Sequence, residues 1–529
     1  MRTAPHHSLE YRPRALGSVR RTATALALIA LLVAGGLVWA QRPVVATAST
    51  RDPFGLDPTH GRSTPDRQLI TNIFSGLVRY ARGTNEVEPD LATHWTVSPD
   101  GREYTFFLRD DVRWHKGYGD FTAHDVKYTF DRIRDPATGS RYRPIFEIVA
   151  EVEVIDDYTV RMTLAEPSAS FLSAVVASMG GLMVNRRAIE EQGDDAFRPI
   201  GTGPFQFVSY EPRQRVVLEA FADFYRGPPE VERVEWSTVP DQSVQALALQ
   251  RGDLNYLVVT DVQIVETLRS TPGVVLTETP ATGYYGYALN TRRPPFDDVR
   301  VRQALAHAID KELFVDAVLA GQGAVTHTVI PSGMFGHAAD LLGPAHDPER
   351  SRSLLAEAGH AEGLVVEVLY NASDGYIAPL AVVLQQWMED VGVTVRLQGL
   401  ESGAVIARRQ AGEFDVHVSG PTRVDPDELL TERFYSASVA SGTNHSFYAS
   451  LDAEIEAQRR TIDPAARAAI LRDIQVRILA DAPEVPVYAP VYVTAHADYL
   501  TGDMPNTSNW IVYLDELRFT DLSRCLPCR

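Results

Sequence analysis

Two prolines, Pro294 and Pro295, stand between a run that reads as a strand and a run that reads as a helix. Upstream, Tyr284, Tyr285, Tyr287 and Leu289 are aromatic or apolar, and Gly286 permits close backbone approach. The prolines lack backbone donors, so neither a strand nor a helix interior runs through them. Downstream, Asp297 or Asp298 can cap a helix on which Val301, Leu305, Ala308 and Ile309 recur at helical spacing. The pattern predicts that helix from Val299 to about residue 319. A strand leaving one body, a stiff corner and a helix opening a second body make a hinge between two lobes.

A chain of 529 residues is too long for one core, so two or three lobes are expected. Residues 1–40 contain five Arg and one Glu, so this tail carries +4; of the formal −19, the remainder carries −23. A body that acidic argues against nucleic acid as a partner. Arg12, Arg14, Arg20 and Arg21 precede an apolar run ending at Val38, Trp39 and Ala40, which fits a cleaved signal peptide; an uncleaved anchor helix is the competing reading. No cysteine lies near residue 40, which excludes a lipid-modified N-terminal cysteine. Cys525 and Cys528 can pair across a short loop, and a metal site there would need further ligands; the expectation is a frayed terminal disulfide.

The remaining pattern predicts an α/β chain. Lobe I covers 41–283 and includes two hairpins within about 92–198, one on either side of a helix opened by Thr122 and Asp125. Lobe II covers 284–488, where helices alternate with short buried strands. Residues 489–529 return to lobe I, led by a long strand beginning near Val485.

Catalytic spacing is absent. There is no Gly-x-Ser-x-Gly elbow, no His-Glu-x-x-His helix and no Gly-Lys dipeptide for a phosphate loop. Gly321 and Gly323 do not extend into a dinucleotide fingerprint. Asp156-Asp157, Asp194-Asp195 and Asp297-Asp298 sit at predicted turns or caps. No cofactor, metal or enzymatic activity is expected.

Several short segments, taken in order, resemble the family 5 solute-binding proteins of bacterial ABC importers. They are Leu56-Asp57-Pro58; residues 75–80, 88–92, 104–109, 121–126 and 199–205; Asn290; and residues 295–305 and 354–359. The resemblance implies a two-lobed periplasmic-binding-protein fold of type II with an extra subdomain in the first lobe and a two-strand hinge. It implies a periplasmic or extracytoplasmic monomer that closes on a peptide or peptide-like solute and docks on a membrane permease. Membrane contact is expected through the permease or an uncleaved N-terminal segment. A non-peptide solute of the same receptor class is the alternative.

By position, Thr64 and the strand ending at Ser419 and Gly420 would hold a peptide backbone. Tyr142, Tyr284, Tyr285 and Tyr287 would wall the pocket. Peptide receptors of this kind continue with a pattern like Gly-Trp-x-x-Asp-Tyr-x-Asp-Pro, whose first acid pairs with the peptide amine. This chain instead has Gly420, Pro421, Thr422, Arg423, Val424, Asp425 and Pro426. The amine-pairing acid has no counterpart, and Asp425 matches the later structural Asp-Pro. Ser402 replaces an upstream pocket aromatic. Arg423 stands where a cation would suit a carboxylate or phosphate.

Overall fold

The strand Tyr285–Leu289 lies inside an eight-stranded sheet, antiparallel to Val416–Ser419 on one side and to the 14-residue strand Glu484–Ala497 on the other. The computed structural model describes residues 42–192, 198–503, 505–506 and 511–529. The predicted export segment at 1–40 lies outside them.

The long strand is what joins the two ends of that sheet. Its first residues, Glu484 to Tyr488, pair with Tyr285–Leu289, and its last, Val491 to Ala497, pair with Val274–Pro280. Residues 274–289 and 484–497 therefore run side by side, antiparallel, across the middle of the molecule. Beyond them the sheet continues through Val416–Ser419 to the parallel strands Leu364–Asn371 and Val393–Leu400. Asp298 caps the helix Val299–His307 by accepting from the Arg300 amide at 2.8 Å. The helix does not reach residue 319. Asp310 accepts from the Leu313 amide at 2.9 Å and caps a new short helix, so the apolar pattern is continued by a second element. Val301, Leu305, Ala308 and Ile309 are all buried in one core with Tyr287, Val368 and Trp387.

Beside the eight-stranded sheet stand the strand pair Val78–Tyr80 and Val87–Pro89 and two four-stranded sheets. One runs Val44–Ser49, Arg233–Thr238, Arg215–Ala220, Phe205–Glu211, with the first pair parallel. The other joins the two predicted hairpins, in the order Ala92–Val97, Glu103–Leu108, Thr159–Leu164, Val149–Asp156. The helix Ala123–Arg134 covers it, burying Val126, Phe130 and Ile133 with Phe106 and Phe146. Residues Pro43–Cys528 form one compact unit.

The cysteines depart from expectation. Cys525 and Cys528 form a disulfide that is buried, not frayed. It packs with Val44, Ala497 and Leu500, and the Val44 amide points at the Cys528 sulfur at 3.4 Å.

Candidate functional site

The helix Thr64–Ile73 opens with a full capping box. Ser63 accepts from the Asp66 amide at 3.3 Å, and the Asp66 carboxylate accepts from the Ser63 amide at 3.0 Å. Asp66 also accepts from the amides of Phe54 and Arg62, so the first turn is rigid. From this fixed base Arg67 and Thr71, one turn apart, face a cavity of ≈ 460 Å³, which Phe74 also lines. That volume falls within the range of small-molecule sites, roughly 300–1,000 Å³. Arg141 and Tyr142 form a second wall, and Tyr80 and Tyr513 a third. The opposite wall is Thr422, Arg423, Val424 and Glu428, so residues far apart in the chain close one space.

Contacts beside the cavity tie these walls together. Ser173 Oγ donates to Asp425 Oδ2 at 2.8 Å, and Ser170 Oγ to Asp427 Oδ2 at 3.2 Å. The Ala169 amide donates to the Arg459 carbonyl at 2.8 Å. Asp425 is fully committed: it caps the helix Pro426–Phe434 and takes Arg467 at 2.5 Å.

The cavity's charges divide into spent and unspent groups. Arg79 pairs with Glu88 at 2.7 Å and Glu516 at 3.1 Å. Asp90 accepts from Arg226 at 2.8 Å and from Tyr225. Arg423 pairs with Glu432 and donates to the Thr422 carbonyl. Glu428 makes no ion pair among the described residues. Burial pushes its carboxyl up to about 7; Arg423 opposes the shift and the Asp425 charge adds to it. Burial likewise raises Asp515 to about 6, with the Glu516 charge adding.

Behind the wall of 422–428 lies a buried polar cluster. Arg433 donates to Glu484 at 3.0 and 2.5 Å and to Ser419 Oγ at 3.0 Å. Tyr284 donates to the same carboxylate at 2.9 Å. Burial pushes the Arg433 pKa down, but the Glu484 charge outweighs it and raises it overall, so the guanidinium stays charged. His445 bonds both Ser419 and Arg433, and His417 packs edge-on against it. Burial pushes both imidazoles well below the ordinary histidine range, with Arg433 adding, so both are neutral.

The model of the bacterial extracellular solute-binding proteins, family 5 middle, matches residues 86–441. This chain belongs to that family. It is 30% identical over 511 residues to the dipeptide-binding protein of Escherichia coli (strain K12), covering 89% of this chain and 92% of that protein. Among solved structures, HbpA2 from Haemophilus parasuis superposes with a TM-score of 0.83 at 26% identity, covering 90% of this chain and 99% of that one. The ABC transporter-associated periplasmic binding protein DppA from Helicobacter pylori, solved with the peptide STSA, gives a TM-score of 0.74 at 27% identity, covering 90% and 98%.

Within this family 5 chain the residues expected at the pocket fall into three groups. Tyr142, Thr422 and Arg423 do line the cavity, though Arg423 is paired, not available. Tyr285, Ser419, Gly420 and Asp425 stand behind or beside it. Tyr285 stacks between Tyr376 and Tyr488, each 5.3 Å away, and its ring fills the space a Cβ on Gly420 would need. The strand Val416–Ser419 is paired with Leu364–Asn371 only at Val416 and His417. Tyr284, Tyr287, Thr64 and Ser402 are elsewhere. Tyr284 and Tyr287 have no exposed surface; Tyr287 donates to the Leu305 carbonyl at 2.9 Å. Strand alternation is overridden here because this strand is covered on both faces. Thr64 lies in the first turn, outside the lining, and Ser402 opens an exposed helix, Ser402–Ala411. Sequence reasoning missed Arg67, Arg141 and Glu428. The available signal was Arg67 one turn before Thr71 on a well-capped helix, beside its Leu69, Ile70 and Ile73 face; nothing local marked the other two.

Proposed function

We propose that this chain is an extracytoplasmic receptor of an ABC importer, and that it captures a peptide or peptide-like solute between two lobes and presents it to a membrane permease. The observation that carries this reading is the shared cavity: its lining comes from 67–225 and 511–515 on one side and from 422–428 on the other. A solute held there touches both walls only when they are together, so binding favours the closed form by that difference in contact. The paired segments 274–289 and 484–497 are the natural hinge, because together they join the two ends of the eight-stranded sheet. Relatives that bind di- and tripeptides, or that were solved with a peptide, support the solute class. On this reading lobe I is 41–283 with an extra subdomain near 92–198, lobe II is 284–488, and residues 1–40 direct export. The chain acts as a monomer and not as an enzyme.

Calorimetric titration with a library of di- and tripeptides tests the proposal. Micromolar or tighter binding of at least one member is expected. No heat with any member, from protein shown to be folded and empty, contradicts it.

A further inference from the structure

We propose that Glu428 is the acid that receives a cationic group of the solute, ammonium or guanidinium, and that it gives up a proton to solvent as the ion pair forms. This rests on the peptide-receptor reading and assigns the charge specificity of its site.

Glu428 lies in the first turn of the helix Pro426–Phe434, and both it and Val424 line the cavity. Its carboxyl turns back to accept from the Val424 amide. It also reaches the opposite wall. After burial, the Glu428 charge is the largest influence on the Tyr80 phenol, and Tyr80 lines the same cavity. Tyr80 is fixed by donating to the Ser173 carbonyl at 2.7 Å, and Ser173 Oγ in turn donates to Asp425 at 2.8 Å. The Glu428 carboxyl therefore stands at the seam where the two walls meet, between the Val424 amide and the Tyr80 phenol.

The charged neighbours on its own wall are already matched. Arg423 pairs with Glu432, Asp425 with Arg467 and Asp427 with Arg459. Across the cavity, Arg67 acts on Tyr80 in the sense opposite to Glu428, and Tyr513, next to Asp515 in the chain but one, donates to the Tyr80 carbonyl at 3.2 Å. Glu428 itself makes no ion pair among the described residues. Burial pushes its carboxyl up to about 7; Arg423 and the Val424 amide oppose the shift, and the Asp425 and Asp427 charges add to it. In the empty cavity the acid thus keeps its proton well into the neutral range. A cation brought against it favours the carboxylate, so the O–H bond breaks, the proton leaves to solvent and a charge-assisted N–H···O bond takes its place. Below about 7 that proton must first be removed, so affinity for a cationic solute falls as the pH falls.

Calorimetric titration of wild type, Glu428→Gln and Glu428→Asp tests this. Ala-Ala is compared with N-acetyl-Ala-Ala, and N-acetyl-Ala-Lys with N-acetyl-Ala-Met, so that a terminal ammonium and a basic side chain are read apart. Each is titrated at about pH 5 and about pH 7, in buffers of different ionisation enthalpy. In the wild type at least one cationic form should bind at least about tenfold tighter than its neutral counterpart near pH 7. Its Kd should tighten about tenfold or more from pH 5 to pH 7, with about one proton released per solute at the lower pH. Glu428→Gln should abolish the preference and the proton release by weakening the cationic form alone, and Glu428→Asp, which keeps the acid, should restore part of both. Thermal melting establishes that each variant is folded. Equal affinity for cationic and neutral forms in the wild type, binding of the cationic form without proton release, or a preference that survives Glu428→Gln overturns the assignment and leaves the receptor reading intact. If no peptide of either charge binds the wild type, the peptide reading falls and this assignment falls with it.

Discussion

Ser173 and Asp425, 252 residues apart in sequence, meet at 2.8 Å: the serine hydroxyl donates to a carboxylate that also caps a helix and pairs with Arg467. Asp425 is thus held in place whether or not Ser173 is present, while Ser173 brings the opposite wall to it. On the proposed two-lobed reading, this contact forms only when the two walls are together. Ser173→Ala should weaken solute binding by ~1 kcal/mol, about fivefold in Kd, through faster dissociation. Stopped-flow release measures this; an unchanged dissociation rate contradicts it.

The fully buried pair Arg433–Glu484 is expected to dominate the stability of the region behind the site. Glu484→Gln leaves the guanidinium without its counter-charge, and the loss should be about 3–5 kcal/mol. Tyr284→Phe removes only one donor to that carboxylate and should cost ~1 kcal/mol. Urea unfolding of the two variants should preserve that ranking.

Glu428 gives a pH dependence of definite sign. Its folded value of about 7 stands above the ordinary 4.5 of an unfolded glutamate, so between the two the native chain keeps a proton that the unfolded chain releases. Its contribution is present below about 4.5 and is lost as pH rises through about 7. Glu428→Gln, which cannot ionise, should melt with the wild type at about pH 4 and above it at about pH 8, in empty protein. Equal melting temperatures at both pH values would contradict the raised value.

Gly420 has a side-chain-free surface because the Tyr285 ring occupies that space. Gly420→Ala should cost about 1–3 kcal/mol, because the added methyl meets both the Tyr285 ring and the Tyr284 carbonyl oxygen. A melting temperature within a degree of wild type would contradict this close packing.

The fold was legible in the sequence where physics is local. Pro294 and Pro295 do break the chain between a strand and a helix, Asp298 does cap that helix, and the two hairpins do form. The helix end was misread because Asp310 restarts the backbone without interrupting the apolar pattern. The site was less legible because its charges are sorted by distant partners. Arg423 looked available until Glu432 was placed beside it, while Arg141 looked ordinary although no carboxylate reaches it among the described residues. The tyrosines of the crossing strand carried the right composition for a pocket, but Tyr284 is turned to Glu484 and Tyr287 to the Leu305 carbonyl.

The central claim is that one solute fills the cavity walled by Arg67, Thr71, Arg141 and Glu428. Mass spectrometry of the small molecules released by denaturing freshly purified protein tests it most directly, with Thr71→Trp as the partner variant whose side chain fills the space. The account predicts a near-stoichiometric peptide-like solute from the wild type and its loss from a folded Thr71→Trp. The same solute recovered in equal amount from Thr71→Trp would contradict it.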